Sequence, residues 1–90
     1  MVEIQQRDPD TFEVTVNDMS TTTHTVTVGD DVHQALTGGQ ATKAELVQRS
    51  FEFLLERESN TSILRSFDLP VIGRYFPEYE RTIKAWAKEG

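Results

Sequence analysis

The sequence contains no cysteine. This absence excludes disulfide bonds and thiolate metal sites. The stability of the fold must therefore come from the packing of a hydrophobic core, or from that packing together with a partner subunit.

Long apolar segments are also absent. The longest uninterrupted run has three residues, as in Phe53–Leu55, whereas a transmembrane helix needs about 20. No N-terminal stretch combines a basic start with an apolar run, which predicts that there is no signal peptide. The sequence therefore predicts a cytoplasmic protein that does not enter a membrane.

Negative charge is concentrated in the first part of the chain. The net charge is −6, and in residues 1–42 Arg7 is the only basic residue against seven acidic ones. Residues 43–90 contain eight basic and eight acidic residues. Nucleic acids and anionic membranes both require a cluster of positive charge, so neither is favoured as a partner.

The 90 residues correspond to a single domain, and its first part has the pattern of β-structure. Residues 1–10 are polar and contain an Asp-Pro-Asp turn, which predicts a flexible lead-in. Phe12, Val14 and Val16 then alternate with polar residues, as in a half-buried strand. A second alternation of Thr with His or Val runs from residue 23 to residue 28 and predicts a paired strand.

A short helical turn is predicted after this hairpin. Asp30 or Asp31 could cap it, and Gly38 could end it. Residues 11–37 are therefore expected to form a two-stranded antiparallel β-hairpin followed by this turn.

The clearest helix signal begins at Thr42. The segment from Thr42 to Glu45 matches a capping box, and the helix is predicted to run to about Glu58. Its core stripe consists of Val47, Phe51, Leu54 and Leu55, widened by Leu46 and Phe53. Shorter helices are predicted over residues 62–67, from Pro70 onward and after Pro77. The predicted fold is α+β: a two-stranded hairpin followed by three or four helices in residues 42–89.

Two segments of this helical half carry a resemblance. They are Phe-Glu-Phe-Leu-Leu-Glu-Arg-Glu at residues 51–58 and Tyr-Phe-Pro-Glu-Tyr at residues 75–79. With them, the stretch from residue 42 to residue 79 resembles a group of small, uncharacterised bacterial proteins. The resemblance implies a bacterial-type cytoplasmic domain and implies no activity, ligand or site residue.

No catalytic, metal or cofactor site is predicted. His24 and His33 are the only histidines, and they lack the spacing of metal ligands. His24 is expected to be half-exposed on its strand, and His33 to lie in an ordinary loop. No serine lies in a Gly-x-Ser-x-Gly elbow. The sequence therefore indicates a protein that is not an enzyme.

Residues 62–76 have the look of a helix–turn–helix, which is the basis of an alternative function. In a DNA-binding unit of this kind the second helix presents basic and polar side chains to the bases. Here Arg74 is the only basic residue of that helix. Two packed core helices are therefore the favoured interpretation of this segment, and a nucleic-acid-binding regulator is the alternative hypothesis.

A cluster of aromatic and basic residues offers a candidate partner surface. It consists of Arg74, Tyr75, Tyr79, Arg81 and Trp86. Tyr and Trp dominate interface hot spots, although small domains also bury their aromatic residues in the core. The function that the sequence favours is a small, non-catalytic protein–protein interaction module that associates with itself, as a homodimer.

Overall fold

A four-stranded sheet forms one layer of the fold, and helices cover one face of it. The computed structural model describes residues 1–89. The strands are β1 (Val2–Gln6), β2 (Thr11–Asn17), β3 (Thr21–Thr27) and β4 (Ser66–Asp68), and they lie in that order across the sheet. The helices are α1 (Asp30–Thr37), α2 (Lys43–Leu55), α3 (Ile72–Tyr75) and α4 (Tyr79–Glu89). The α+β class is confirmed, but the sheet has four strands instead of two.

The predicted hairpin is present in the middle of this sheet. β2 and β3 pair antiparallel, with Val14 opposite His24. Alternate side chains of both strands are buried beneath the helices, and the intervening positions, many of them threonine, face outward. His24 lies on the buried face and is 0% exposed, so the expectation of a half-exposed histidine is wrong.

β1 replaces the predicted flexible lead-in. It pairs antiparallel with β2, with Val2 opposite Val16 and Ile4 opposite Val14. The alternating pattern that would predict this strand is weak, because only these two apolar side chains alternate before a run of polar residues. They are half-buried, which reflects the position of the strand at the edge of the sheet.

β4 occupies part of the segment predicted as a short helix over residues 62–67. It pairs parallel with β3, with Phe67 opposite Val26. Asn60–Ser62 form one 3-10 turn and Leu69–Val71, which contain Pro70, form another. The prediction of a helix over residues 62–67 is therefore wrong, and without it residues 62–76 do not form a helix–turn–helix: the one α-helix there is α3, with four residues.

α1 is capped differently from the prediction. Its N-cap is Gly29, with no side-chain hydrogen bond, while Asp30 and Asp31 lie in the first turn, where negative charge is favourable to the helix dipole. The Lys43 ammonium is 2.6 Å from one carboxylate oxygen each of Asp10 and Asp30. Its hydrogen bond to Asp30 lowers the pKa of that carboxyl group. Gly38 ends the helix as predicted, in the left-handed conformation with φ 61°.

The capping box at the start of α2 is confirmed. The amide N–H of Glu45 donates to Thr42 Oγ1 at 3.0 Å, and the amide N–H of Thr42 donates to Glu45 Oε1 at 2.8 Å. The helix ends at Leu55, short of the predicted Glu58. Each predicted core residue of α2 is buried except Leu55, which is half-buried. No helix in residues 1–89 has the length and apolar character needed to cross a membrane.

Replacing Thr42 with alanine is expected to destabilise the domain by about 1 kcal/mol, because the first turn of α2 loses its hydroxyl acceptor. Thr42→Ser keeps an acceptor and serves as the control. Chemical denaturation of the three proteins measures the difference, and equal midpoints for Thr42→Ala and the parent would contradict this prediction.

Candidate protein-interaction site

An apolar groove of about 170 Å³ lies beside β4, at one edge of the sheet. We call it the β4 groove. Its lining residues are Leu54, Glu58, Ser62, Ile63, Leu64, Phe67, Val71, Ile72, Tyr75 and Phe76. Four large apolar residues in the described part of the chain are well exposed, and two of them, Leu64 at 47% and Tyr75 at 66%, line this groove. The groove is therefore where exposed apolar surface is concentrated.

The floor of the β4 groove continues the hydrophobic core. The ring of Phe67 lies 6.1 Å from that of Phe51, and the ring of Phe76 lies edge-on to Phe53 at 5.9 Å. Phe51 and Phe53 are both 0% exposed. The aromatic side chains of the floor therefore pack directly on fully buried rings of the core.

A buried chain of hydrogen bonds holds one wall of the groove. Asn60 Nδ2 donates to Thr22 Oγ1 at 3.0 Å, and Thr22 Oγ1 is 2.8 Å from His24 Nε2. His24 Nδ1 is 2.7 Å from the carbonyl oxygen of Leu64. A carbonyl oxygen can only accept, so Nδ1 carries the proton, and in the neutral ring Nε2 accepts from the Thr22 hydroxyl. This chain of hydrogen bonds joins the segment from Asn60 to Leu64 to β3.

The outer edge of β4 presents free backbone groups. The amide N–H of Thr25 donates to the carbonyl oxygen of Arg65 at 2.7 Å, so this carbonyl faces β3. Along a strand the backbone groups of successive residues face opposite sides. Those of Ser66 therefore point away from β3, and within residues 1–89 no hydrogen bond to them is present. The edge can accept a further strand next to the groove.

A second depression lies at the opposite edge of the sheet, and we call it the β1 groove. Its lining residues are Ile4, Ala44, Glu45, Gln48, Arg49, Glu52 and Trp86. Ile4 and Trp86 are half-buried and pack against the core. Arg49 and Glu52 form an ion pair with 3.9 Å between Nη1 and Oε1, so this depression has an apolar centre and a charged rim.

The structure distributes the five predicted partner-surface residues over several places. Tyr75 lines the β4 groove and Trp86 lines the β1 groove. Tyr79 is 1% exposed and belongs to the core. Arg74 is exposed on α3, and Arg81 is exposed on α4, where it lines a third depression together with Lys84 and Lys88. The five residues therefore do not form one continuous surface.

Sequence reasoning missed Leu64 and Phe67 as site residues. Both residues lie in the segment that the sequence predicted as a short helix, residues 62–67. The sequence pattern that indicates a strand here is short. Ser66-Phe67-Asp68 has one apolar residue between two polar ones, as in a short strand with one buried side chain.

The histidines have structural roles in this fold. Both ring nitrogens of His24 are hydrogen-bonded. His33 lies in α1 and not in a loop as expected, and its Nε2 is 2.5 Å from the carbonyl oxygen of Ala41, which joins α1 to the loop before α2. Within residues 1–89 no group of three or more His, Cys, Asp or Glu side chains is arranged to hold a metal ion. Comparison of the chain with family models, curated proteins and solved structures found no match.

Proposed function

We propose that this protein is a non-catalytic protein-interaction module, and that it binds an extended segment of another protein in the β4 groove. The observation that carries the proposal is the position of an apolar groove directly beside an open strand edge. A segment added next to β4 would bond to the backbone of Ser66. Every second side chain of that segment would point toward the groove, as in other cases of strand addition.

The size of the groove supports a peptide segment as its occupant. Its volume of about 170 Å³ is below the roughly 300–1,000 Å³ of typical small-molecule sites. It can take one or two apolar side chains, and the exposed Leu64 and Tyr75 can cover them. A short edge such as β4, which has three residues, gives only a few backbone hydrogen bonds, so the apolar side chains must supply much of the affinity.

A peptide selection tests this proposal. Random decapeptides displayed on phage are selected against the immobilised protein, and an enriched peptide is synthesised and titrated by fluorescence polarisation. We expect enrichment of apolar residues at alternate positions. Leu64→Ser and Tyr75→Ser each remove exposed apolar surface from the groove, and we expect each to weaken binding about tenfold or more.

Met19→Ser is the matched control for these variants. Met19 is also an exposed large apolar residue, but it lies in the turn between β2 and β3, and it is not among the residues that line the groove. The Met19→Ser substitution should leave the affinity for the selected peptide unchanged. A selection without enrichment, or a peptide whose affinity ignores Leu64→Ser and Tyr75→Ser, would refute the β4 groove as the site.

A further inference from the structure

The open edge of β1 carries a second set of free backbone groups, away from the β4 groove. The amide N–H of Asn17 donates to the carbonyl oxygen of Met1 at 2.8 Å, and that of Arg7 donates to the carbonyl oxygen of Thr11 at 2.9 Å. In an antiparallel pair, hydrogen-bonded and non-hydrogen-bonded positions alternate. The backbone groups of Glu3 and Gln5, which lie between Met1 and Arg7, therefore form hydrogen bonds with β2.

Val2, Ile4 and Gln6 consequently direct their N–H and C=O groups away from β2. Within residues 1–89 no backbone hydrogen bond to these groups is present. β1 is the longer of the two edge strands, with five residues against three in β4. An edge of this length with free donors and acceptors can serve as a template for another strand.

We propose that β1 pairs antiparallel with β1 of a second copy of this chain, with the two-fold axis at Ile4. Ile4 then lies opposite Ile4 of the second copy. On one side of the axis Val2 lies opposite Gln6 of the second copy, and on the other side Gln6 lies opposite Val2 of the second copy. All these residues present outward-facing backbone groups, and each opposed pair exchanges two hydrogen bonds. The two sheets become one continuous sheet.

Charge and the number of hydrogen bonds together select this register over its two neighbours. With the axis at Ile4, Glu3 lies opposite Gln5 of the second copy. Moving the axis one residue toward the N-terminus places Glu3 opposite Glu3 of the second copy, and like charges directly opposite each other are unfavourable. Moving it one residue toward the C-terminus leaves Val2 without a partner. The register centred on Ile4 has the most hydrogen bonds and no repulsion between opposed side chains.

Burial of apolar side chains favours the same occupant. Val2 and Ile4 lie opposite Val16 and Val14 of β2 and are half-buried on the helix-covered face. Ile4 lines the β1 groove with Trp86. In the paired arrangement Ile4 meets its own counterpart above this groove, an aliphatic cross-strand contact that stabilises a sheet. A second copy therefore covers the apolar centre of the β1 groove.

Proline at position 6 gives a sharp test because it removes an N–H that β1 does not use within its own chain. Gln6 lies opposite Phe12 at a non-hydrogen-bonded position, and proline is tolerated on an edge strand when its N–H side faces outward. The full chain, Gln6→Pro and Gln6→Ala are compared by sedimentation equilibrium over micromolar concentrations. Gln6→Ala also loses the side chain, including its bond to the Pro9 carbonyl, but it keeps the N–H.

We expect a dimer for the parent and for Gln6→Ala, and a dissociation constant roughly tenfold or more higher for Gln6→Pro, which loses one hydrogen bond on each side of the axis. A second pair of variants tests the register without proline. Gln5→Lys places a cation opposite Glu3 of the second copy and should tighten the dimer at low salt, whereas Gln5→Glu should weaken it.

Two results would overturn this interface. One is a mass fixed at the monomer value of 10.3 kDa at all concentrations. The other is a dimer whose dissociation constant is the same for Gln6→Pro as for Gln6→Ala, and for Gln5→Lys as for Gln5→Glu. Neither result bears on peptide binding in the β4 groove, which Leu64→Ser and Tyr75→Ser test separately.

Discussion

Replacing Phe51 with alanine is expected to destabilise the domain by about 3–5 kcal/mol. Phe51 is 0% exposed, and its ring lies 5.4 Å from the His24 ring and 6.1 Å from the Phe67 ring. The substitution leaves a cavity where α2 meets β3 and β4. A domain of this size has a total stability of about 5–15 kcal/mol, so the loss is a large share of it.

Urea denaturation monitored by circular dichroism measures this effect. Glu52→Ala is the control, since Glu52 is the next residue of α2 and is exposed; it should change stability by no more than about 0.5 kcal/mol. If Phe51→Ala kept the midpoint of the parent, the position of Phe51 in the core would be wrong.

Replacing Tyr79 with alanine is also expected to cost roughly 3–5 kcal/mol, the range for a large buried aromatic ring. Its ring is edge-on to Phe53 at 5.2 Å, and its hydroxyl oxygen is 2.7 Å from Ser50 Oγ. Ser50 Oγ donates to the carbonyl oxygen of Leu46, so the phenol donates to Ser50. Tyr79→Phe keeps the ring and loses this one hydrogen bond, so it should cost only about 1 kcal/mol.

The pH dependence of the same pair gives an independent check. Burial raises the pKa of the Tyr79 phenol above its ordinary value of 10.0, against a smaller lowering by the hydrogen bond with Ser50. Because the folded-state pKa is the higher one, the unfolded chain loses this proton first as pH rises. The stability that Tyr79 contributes is complete below about pH 10 and is lost above it.

The advantage of the parent over Tyr79→Phe should therefore shrink above pH 10, as measured by urea midpoints from pH 7 to pH 11. A Tyr79→Ala variant as stable as the parent would instead indicate an exposed residue available to a partner. A constant difference between the parent and Tyr79→Phe across this pH range would contradict the buried phenol.

Features defined by local contacts were predictable from the sequence. The hairpin of β2 and β3 follows from two alternating patterns of side chains that are separated by a short turn. The capping box of α2 lies within residues 42–45. Both depend on residues that are close in the chain, where side-chain periodicity and backbone hydrogen bonding act directly.

The two edge strands were not predictable in the same way. β1 has only two inward-facing apolar residues, and a pattern this short does not distinguish a strand from a flexible segment. β4 pairs with β3 across a connection that contains α1 and α2. A parallel strand requires such a crossover. Which residues form that strand depends on where the helices of the connection place the chain next to β3.

The candidate site shows the same division. Tyr75 was singled out from its residue type and is exposed in the β4 groove, whereas Tyr79 and Trp86, chosen on the same ground, lie in the core and in the β1 groove. Residue type identifies an aromatic side chain suited to burial or binding. Only packing determines which of these two environments it meets.

The sequence by itself determined the α+β class, the central hairpin and the start and buried face of α2, because each depends on short-range periodicity and capping. The tertiary structure decided the number of strands, the burial of His24 and the two open sheet edges. Those features arise from contacts between distant parts of the chain, such as His24 Nδ1 with the Leu64 carbonyl and β4 with β3. An edge strand is stabilised by its neighbour and by the helices above it more than by its own residues.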